Sequence, residues 1–224
     1  MNLFGVLSEV YPTLLTGLTM TVKITILSLI IALVIGIFVC LMNISSNIVL
    51  RGIAKFYIWL IRGTPMLVQA FYFYFALPQL IQAVTGSQFR ITVFTASLVT
   101  LALNAGAYIS EIFRGSIESV NKGQMEAARS LGLPYSRAMI RVVLPQAIRT
   151  MIPSIINQFI ITLKDTSILS VIGFPELTNM GKTIAGNTFK SLQTWAIVGI
   201  MYMIVIVALS KLAKRIERRI DRGR

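Results

Sequence analysis

The chain has no histidine and a single cysteine, Cys40, which sits inside an apolar run. Those absences exclude a zinc site, a disulfide framework and a Cys–His nucleophile pair within the chain, and Cys40 reads as a small packing residue. Charge is scarce too. Charged residues make up 13% of the sequence, about half the share usual in soluble domains. Acidic residues are scarcest, 8 against 21 Lys and Arg, which leaves a net charge of +13.

What the chain has instead is apolar surface: 55% hydrophobic residues and a mean hydropathy of +0.77. A soluble amphipathic helix shows a charge every turn or two, whereas long stretches here show none. The length of 224 residues fits one membrane domain, 1–224, with about five helices, at roughly twenty residues per span plus loops. The predicted fold class is therefore an all-α membrane protein.

The first apolar run extends from Leu14 to Met42, interrupted only by Lys23, which can snorkel to an interface. It is not expected to be a cleavable signal peptide, because the residues before it carry Glu9 and no basic charge. Val49 to Ile61 reads as a short interfacial helix, with Arg51, Lys55 and Arg62 along one face and Phe56, Tyr57 and Trp59 nearby. Thr64-Pro65 resembles an N-cap followed by proline at the first helical position. It opens a second span, Pro65 to Val84, with Pro78 as a kink point. The third span is predicted over Val93–Phe113. The stretch from Met151 to Leu163 is about 20 Å long as a helix, too short for a core of about 30 Å, so the fourth span is expected to continue through Lys164 and Asp165 to Phe174. A loop over Asn179–Lys190 and a last span, Trp195–Leu209, complete the pattern.

Five spans place the termini on opposite sides. The segments 43–62, 114–149 and 211–224 share one side and hold sixteen of the 21 Lys and Arg residues. By the positive-inside rule they face the cytoplasm and the N-terminus faces out. Basic loops thus account for the net charge without nucleic acid. The tail 211–224 can bind anionic lipid or anchor the last helix at the inner leaflet.

The polar segment 114–149 carries the most specific pattern. Asn121 can cap a helix, with Gln124 completing a capping box. That helix runs through Met125, Glu126, Ala127, Ala128 and Leu131. Gly132 is placed to end it in a left-handed conformation, and Pro134 blocks its continuation. A second short helix, Ser136–Val143, is expected to lead back to the membrane. Met125, Ala128 and Leu131 share one face, and the alanines allow close approach of another surface. Two readings stand on the residues alone, a docking helix or an ordinary solvated loop helix.

Glu126-Ala127-Ala128, Gly132 and Leu144-Pro145, with Val142 two residues before the leucine, resemble the EAA motif of bacterial binding-protein-dependent ABC importer permeases. Further segments are similar to its polar amino-acid branch, glutamine- and arginine-type permeases. They are Arg62-Gly63-Thr64-Pro65, Leu67-Val68-Gln69, Asn104-x-Gly106-Ala107-Tyr108-x-x-Glu111, Lys122-Gly123-Gln124, Lys164-Asp165-Thr166-Ser167 and Pro175-Glu176-Leu177-Thr178. The resemblance implies a type I importer permease in the bacterial cell membrane. Its implied partners are a second permease copy or paralogue, two ATP-binding subunits, an extracytoplasmic amino-acid-binding protein and membrane lipids. ATP and Mg would be bound by the partner subunit, leaving this chain with no cofactor of its own. Gln124, Glu126, Ala127, Ala128, Leu131 and Gly132 would form the element that couples the ATPase to the membrane helices.

Polar groups at membrane depth are costly and mark function. Asn104, Tyr108 and Glu111 fall at i, i+4 and i+7, on one face of the third span. Lys164, Asp165 and Thr166 interrupt the fourth. Together, Asn104, Tyr108, Glu111, Asp165 and Thr166 are the expected contacts for a polar amino acid, with a carboxylate for its ammonium. Alternatively, Glu111 pairs with Arg114 one turn away, and Asp165 or Thr166 caps a broken helix.

Gly181-Lys182-Thr183 imitates the end of a Walker A loop, but Glu176 occupies the position of its first glycine and would repel phosphate. No catalytic or metal-binding residues are expected, and hydrolysis belongs to a partner. The competing class is a secondary amino-acid transporter or a channel uncoupled from ATP. Such folds often show paired repeats, and this sequence has no second half.

Overall fold

The computed structural model describes the backbone of residues 3–221 and the side chains of residues 10–218. The last residues of the basic tail, 222–224, lie outside the described residues. Among the described residues there is no strand, and five helical stretches are long and apolar enough to cross a membrane, as the composition predicts.

Helix α1 (Leu3–Asn43) begins well before the predicted Leu14. In its threonine-rich first part the hydroxyls of Thr16, Thr19, Thr21 and Thr25 each donate to the carbonyl four residues earlier. A hydroxyl satisfied in this way can sit where water cannot reach. The interfacial helix is present as α2 (Ile48–Arg62), capped by Asn47, whose Oδ1 accepts from the amides of Val49 and Leu50.

The second span differs from its prediction at its start and carries a π-turn ahead of Pro78. It consists of α3 (Met66–Phe71), a π-turn (Tyr72–Ala76) and α4 (Leu77–Thr85). Pro65, not Thr64, is the N-cap, and it makes no side-chain cap bond. The Thr64 hydroxyl is committed elsewhere, donating to Leu60 O at 2.8 Å. Near Pro78 the ladder widens instead of breaking: the Leu77 amide bonds to Tyr72 O, five residues back. Proline lacks an N–H and crowds the preceding turn, and a π-turn relieves both.

Helix α5 (Val93–Glu118) runs five residues past the predicted end at Phe113, so Arg114 and Glu118 belong to the span and not to the loop. The predicted short helix Ser136–Val143 is not separate either. A continuous helical body spans Tyr135–Ile172 through α7 (Tyr135–Ala138), a π-turn (Met139–Val143), α8 (Leu144–Asp165) and a 3-10 segment (Thr166–Ile172). The predicted loop over Asn179–Lys190 is mostly helix α9 (Leu177–Thr188). The buried Glu176 caps it, its carboxylate accepting from the amides of Thr178 and Asn179. Helix α10 (Ser191–Asp221) forms the last span.

The core is a helix–helix seam. A Cβ on Gly36 would meet Ile109 Cγ2 at 2.6 Å, and one on Gly106 would meet Ile35 Cγ2 at 2.8 Å. Glycine on both helices brings α1 and α5 into direct backbone approach, the usual device where lipid gives helices no hydrophobic reason to associate. Helix α9 is tied to α1 by the Leu177 amide, which donates to Thr21 Oγ1 at 3.1 Å.

Candidate functional site

Between the start of α3, the middle of α5 and the end of α8 lies a cavity of about 400 Å³. Thr64, Asn104, Tyr108, Gln158 and Asp165 give it polar groups, and Pro65, Met66 and Ile161 give it apolar wall. Asn104, Tyr108 and Asp165, distant in sequence, are brought together as expected. Thr64 and Gln158 were not among the expected site residues.

A third amide behind the wall sets the chemistry of Asn104. Gln69 is buried, and its Nε2 donates to Ile61 O at 2.8 Å and approaches Thr64 O and Thr64 Oγ1 at 3.1 and 3.0 Å. All three are acceptors, since the Thr64 proton is already given to Leu60 O. The amide group of Gln69 therefore cannot be reversed, and its Oε1 faces Asn104. Asn104 must then present its own amide, and Nδ2 donates to Gln69 Oε1 at 3.0 Å. Asn104 Oδ1 is left as a hydrogen-bond acceptor for the cavity. The signal that would have found Gln69 and Gln158 is present in the sequence, since each is an amide within a predicted apolar span, but Gln79, Gln82 and Asn157 carry the same signal in those spans.

Glu111 and Thr166 do not line this cavity. Glu111 lines a separate cavity at the end of α5. Arg114 forks onto it at 3.0 and 2.8 Å, Arg62 lies 3.6 Å away, and Asn43 Nδ2 reaches Oε1 at 3.4 Å. The cause is the longer α5, which puts Arg114 one helical turn beyond Glu111 inside the same helix. Thr166 is fully buried, its hydroxyl donating to Leu163 O at 2.7 Å. Thr166 stands at the C-cap of α8 and Asp165 makes no side-chain cap bond, and the chain continues as a 3-10 segment instead of breaking. Lys164 is exposed and outside the cavity. Arg62 also sits 5.1 Å from the centre of the Tyr108 ring, so the charge cluster adjoins the cavity without lining it.

Helix α6 (Lys122–Ser130) carries the EAA residues. Asn121 Oδ1 accepts from the Gly123 amide, but the other half of the capping box gives way to a tertiary contact, with Gln146 Nε2 donating to Gln124 Oε1 at 3.3 Å. The helix ends as predicted. Gly132 has φ of +85°, its amide bonds to Arg129 O, and the Leu133 amide bonds to Ala128 O. Those two bonds define a Schellman motif. Ala128 is 5% exposed and faces the protein, while Leu131 is 85% exposed. The expected common face of Met125, Ala128 and Leu131 is thus split, because the last residue leaves the helix at its cap. Glu126, Ala127 and Leu131 point outward.

Gly181-Lys182-Thr183 lies inside α9, not in a loop, and the Thr183 hydroxyl donates to Asn179 O. The Glu176 carboxyl also accepts from Tyr202 Oη at 2.7 Å, and its burial pushes its pKa up against the bonds it accepts.

The chain is 41% identical over 208 residues to the glutamine transport system permease protein of Escherichia coli (strain K12), covering 93% of each chain. It is 38% identical over 209 residues, again 93% of each, to the arginine transport system permease protein of Bacillus subtilis (strain 168). Among solved structures, the crystal structure of an amino acid ABC transporter with histidines matches with a TM-score of 0.91 and 38% identity, over 98% of this chain and 99% of that one. Residues 32–222 match the family profile of the binding-protein-dependent transport system inner membrane component, and the chain belongs to that family.

Proposed function

We propose that the chain is the membrane subunit of an ATP-driven importer of polar amino acids, paired with a second permease, two ATPase subunits and an extracytoplasmic binding protein. Its cytoplasmic side is the one carrying α6 and the basic segments, and its N-terminus faces out. The carrying observation is the acceptor-rich cavity: Asn104 Oδ1 and the Asp165 carboxyl share it with Tyr108, an arrangement suited to an α-ammonium group. Glu111 holds the charge cluster beside the cavity, and Thr166 packs the 3-10 segment.

The continuous helical body gives the coupling a path. Residues Tyr135 to Asp165 are helical without a break, and Gln146 near the α6 end bonds Gln124. A displacement of α6 by the ATPase moves the base of the rod whose far end holds Asp165. Glu126, Ala127 and Leu131 meet the ATPase; Ala128, Gln124 and Gly132 fix the helix that presents them. Alternating access follows when two such rods move together.

The test is affinity purification of the full chain, followed by uptake of labelled glutamine and arginine in proteoliposomes holding the complex. An ATPase should copurify, Glu126→Lys should lose it, and Asp165→Asn should keep it while uptake falls. A chain that transports either amino acid with no ATPase present would overturn the reading.

A further inference from the structure

A larger cavity, about 620 Å³, opens where α1 and α5 both end. The transport route above does not use it. Arg51, Lys55 and Trp59 of α2 form one wall, and Glu111, Arg114 and Glu118 of α5 the other. The carboxylates are committed within the wall, with Arg114 bridging Glu111 and Glu118 and Arg62 flanking Glu111. Arg51 and Lys55, one helical turn apart, have no ion pair or hydrogen bond among the described residues. Four cations against two carboxylates leave two positive charges uncompensated, and they are at these two positions.

The surroundings are apolar. Ile48, Val49, Ile53 and Phe56 of α2 are exposed, and Trp59 at the cavity is 69% exposed. Two spans end at Asn43 and Glu118, which sets the cavity at the boundary of the hydrocarbon core. A basic amphipathic helix at that depth lies in the interface with its apolar side in the acyl region. We infer that this cavity is a binding site for an anionic phospholipid, its phosphodiester held between Arg51 and Lys55 and its chains lying along the exposed apolar residues of α2. An acidic protein segment or free phosphate would satisfy the cations and leave Phe56 and Trp59 in water, whereas a lipid satisfies both.

Native mass spectrometry of the delipidated full chain tests this, with phosphatidylglycerol or phosphatidylcholine added in detergent. Phosphatidylglycerol should bind in preference. The Arg51→Gln/Lys55→Gln double variant keeps the apolar stems and helix propensity and should weaken that binding about tenfold or more. Unchanged helicity of the variant checks that the fold survives. Lys211→Gln/Lys214→Gln/Arg215→Gln, in the basic tail, should leave the binding in place. Three results would overturn the assignment: unchanged phosphatidylglycerol affinity in the Arg51/Lys55 variant, displacement of the lipid by millimolar inorganic phosphate, or loss of a copurifying ATPase with lipid binding intact. The readout is binding, so it stands or falls independently of transport.

Discussion

Asn104 donates its side-chain amide to Gln69 Oε1 at 3.0 Å, and Gln69 in turn is locked by the carbonyls of Ile61 and Thr64. The orientation of a cavity residue is therefore decided by a residue that never reaches the cavity. Gln69→Met keeps the size but removes both the amide protons and the oxygen that accepts from Asn104, leaving buried acceptors unmet at a cost of about 1–3 kcal/mol and releasing Asn104 to turn. The expected result is a raised KM for uptake in proteoliposomes together with a lower melting temperature. An unchanged KM would show that the orientation of Asn104 does not matter.

Asp165 and Glu111 are both carboxylates at membrane depth, but only Asp165 lines the cavity with Asn104. Asp165→Asn should reduce uptake at subsaturating substrate by tenfold or more, about 1.4 kcal/mol in binding or transition-state terms. Glu111→Gln should lower stability instead, since it frees Arg114 and Arg62, and leave KM close to wild type. Paired measurements of KM and thermal midpoint separate the two; a KM rise in Glu111→Gln equal to that in Asp165→Asn would merge the sites.

At Gly132 the backbone is left-handed, with φ of +85°. Valine there costs about 1–2 kcal/mol in backbone strain and loosens the cap that sets α6. ATP hydrolysis should persist in Gly132→Val while uptake per ATP drops. Coupled uptake at the wild-type ratio would remove the cap from the mechanism.

Glu176 predicts a pH dependence. Burial raises its pKa above the ordinary 4.5 despite the bonds from Thr178, Tyr202 and Asn179. The folded chain therefore holds this proton more tightly than the unfolded chain. The contribution of Glu176 to stability is full below pH 4.5 and is lost as pH rises through the higher folded value. Melting of the detergent-solubilised protein should decline over that interval in the wild type, and the slope should shrink in Glu176→Gln. Equal slopes in both would assign the dependence to other groups.

Much of the architecture was legible in the residues. Composition and the spacing of apolar runs gave five spans, the Asn121–Gly132 punctuation gave α6 and its end, and the basic residues in 51–62 marked α2. The misreadings share a cause. Polarity was equated with loop at 114–118 and 179–188, yet Arg114 pays no loop penalty by staying helical beside Glu111, and Glu176 caps α9 so that polar residues such as Asn179 and Lys182 continue as helix. Pro78, read as a kink point, follows a π-turn whose widening depends on the whole turn and not on one residue, and Pro65, read as the first helical residue, takes the cap position itself.

The sequence by itself determined that the chain crosses a membrane, where it does so, and which helix end is punctuated by glycine, because transfer energy and backbone sterics act locally. Only the tertiary structure decided which polar residues meet. Asn104 and Asp165 share a cavity while Glu111, on the same helical face as Asn104 by spacing, turns to Arg114 and Arg62. The reason is physical: helical periodicity assigns a residue to a face, but partnership inside a bundle is set by how closely neighbouring helices approach, and here that approach depends on Gly36 and Gly106 and on the length of α5.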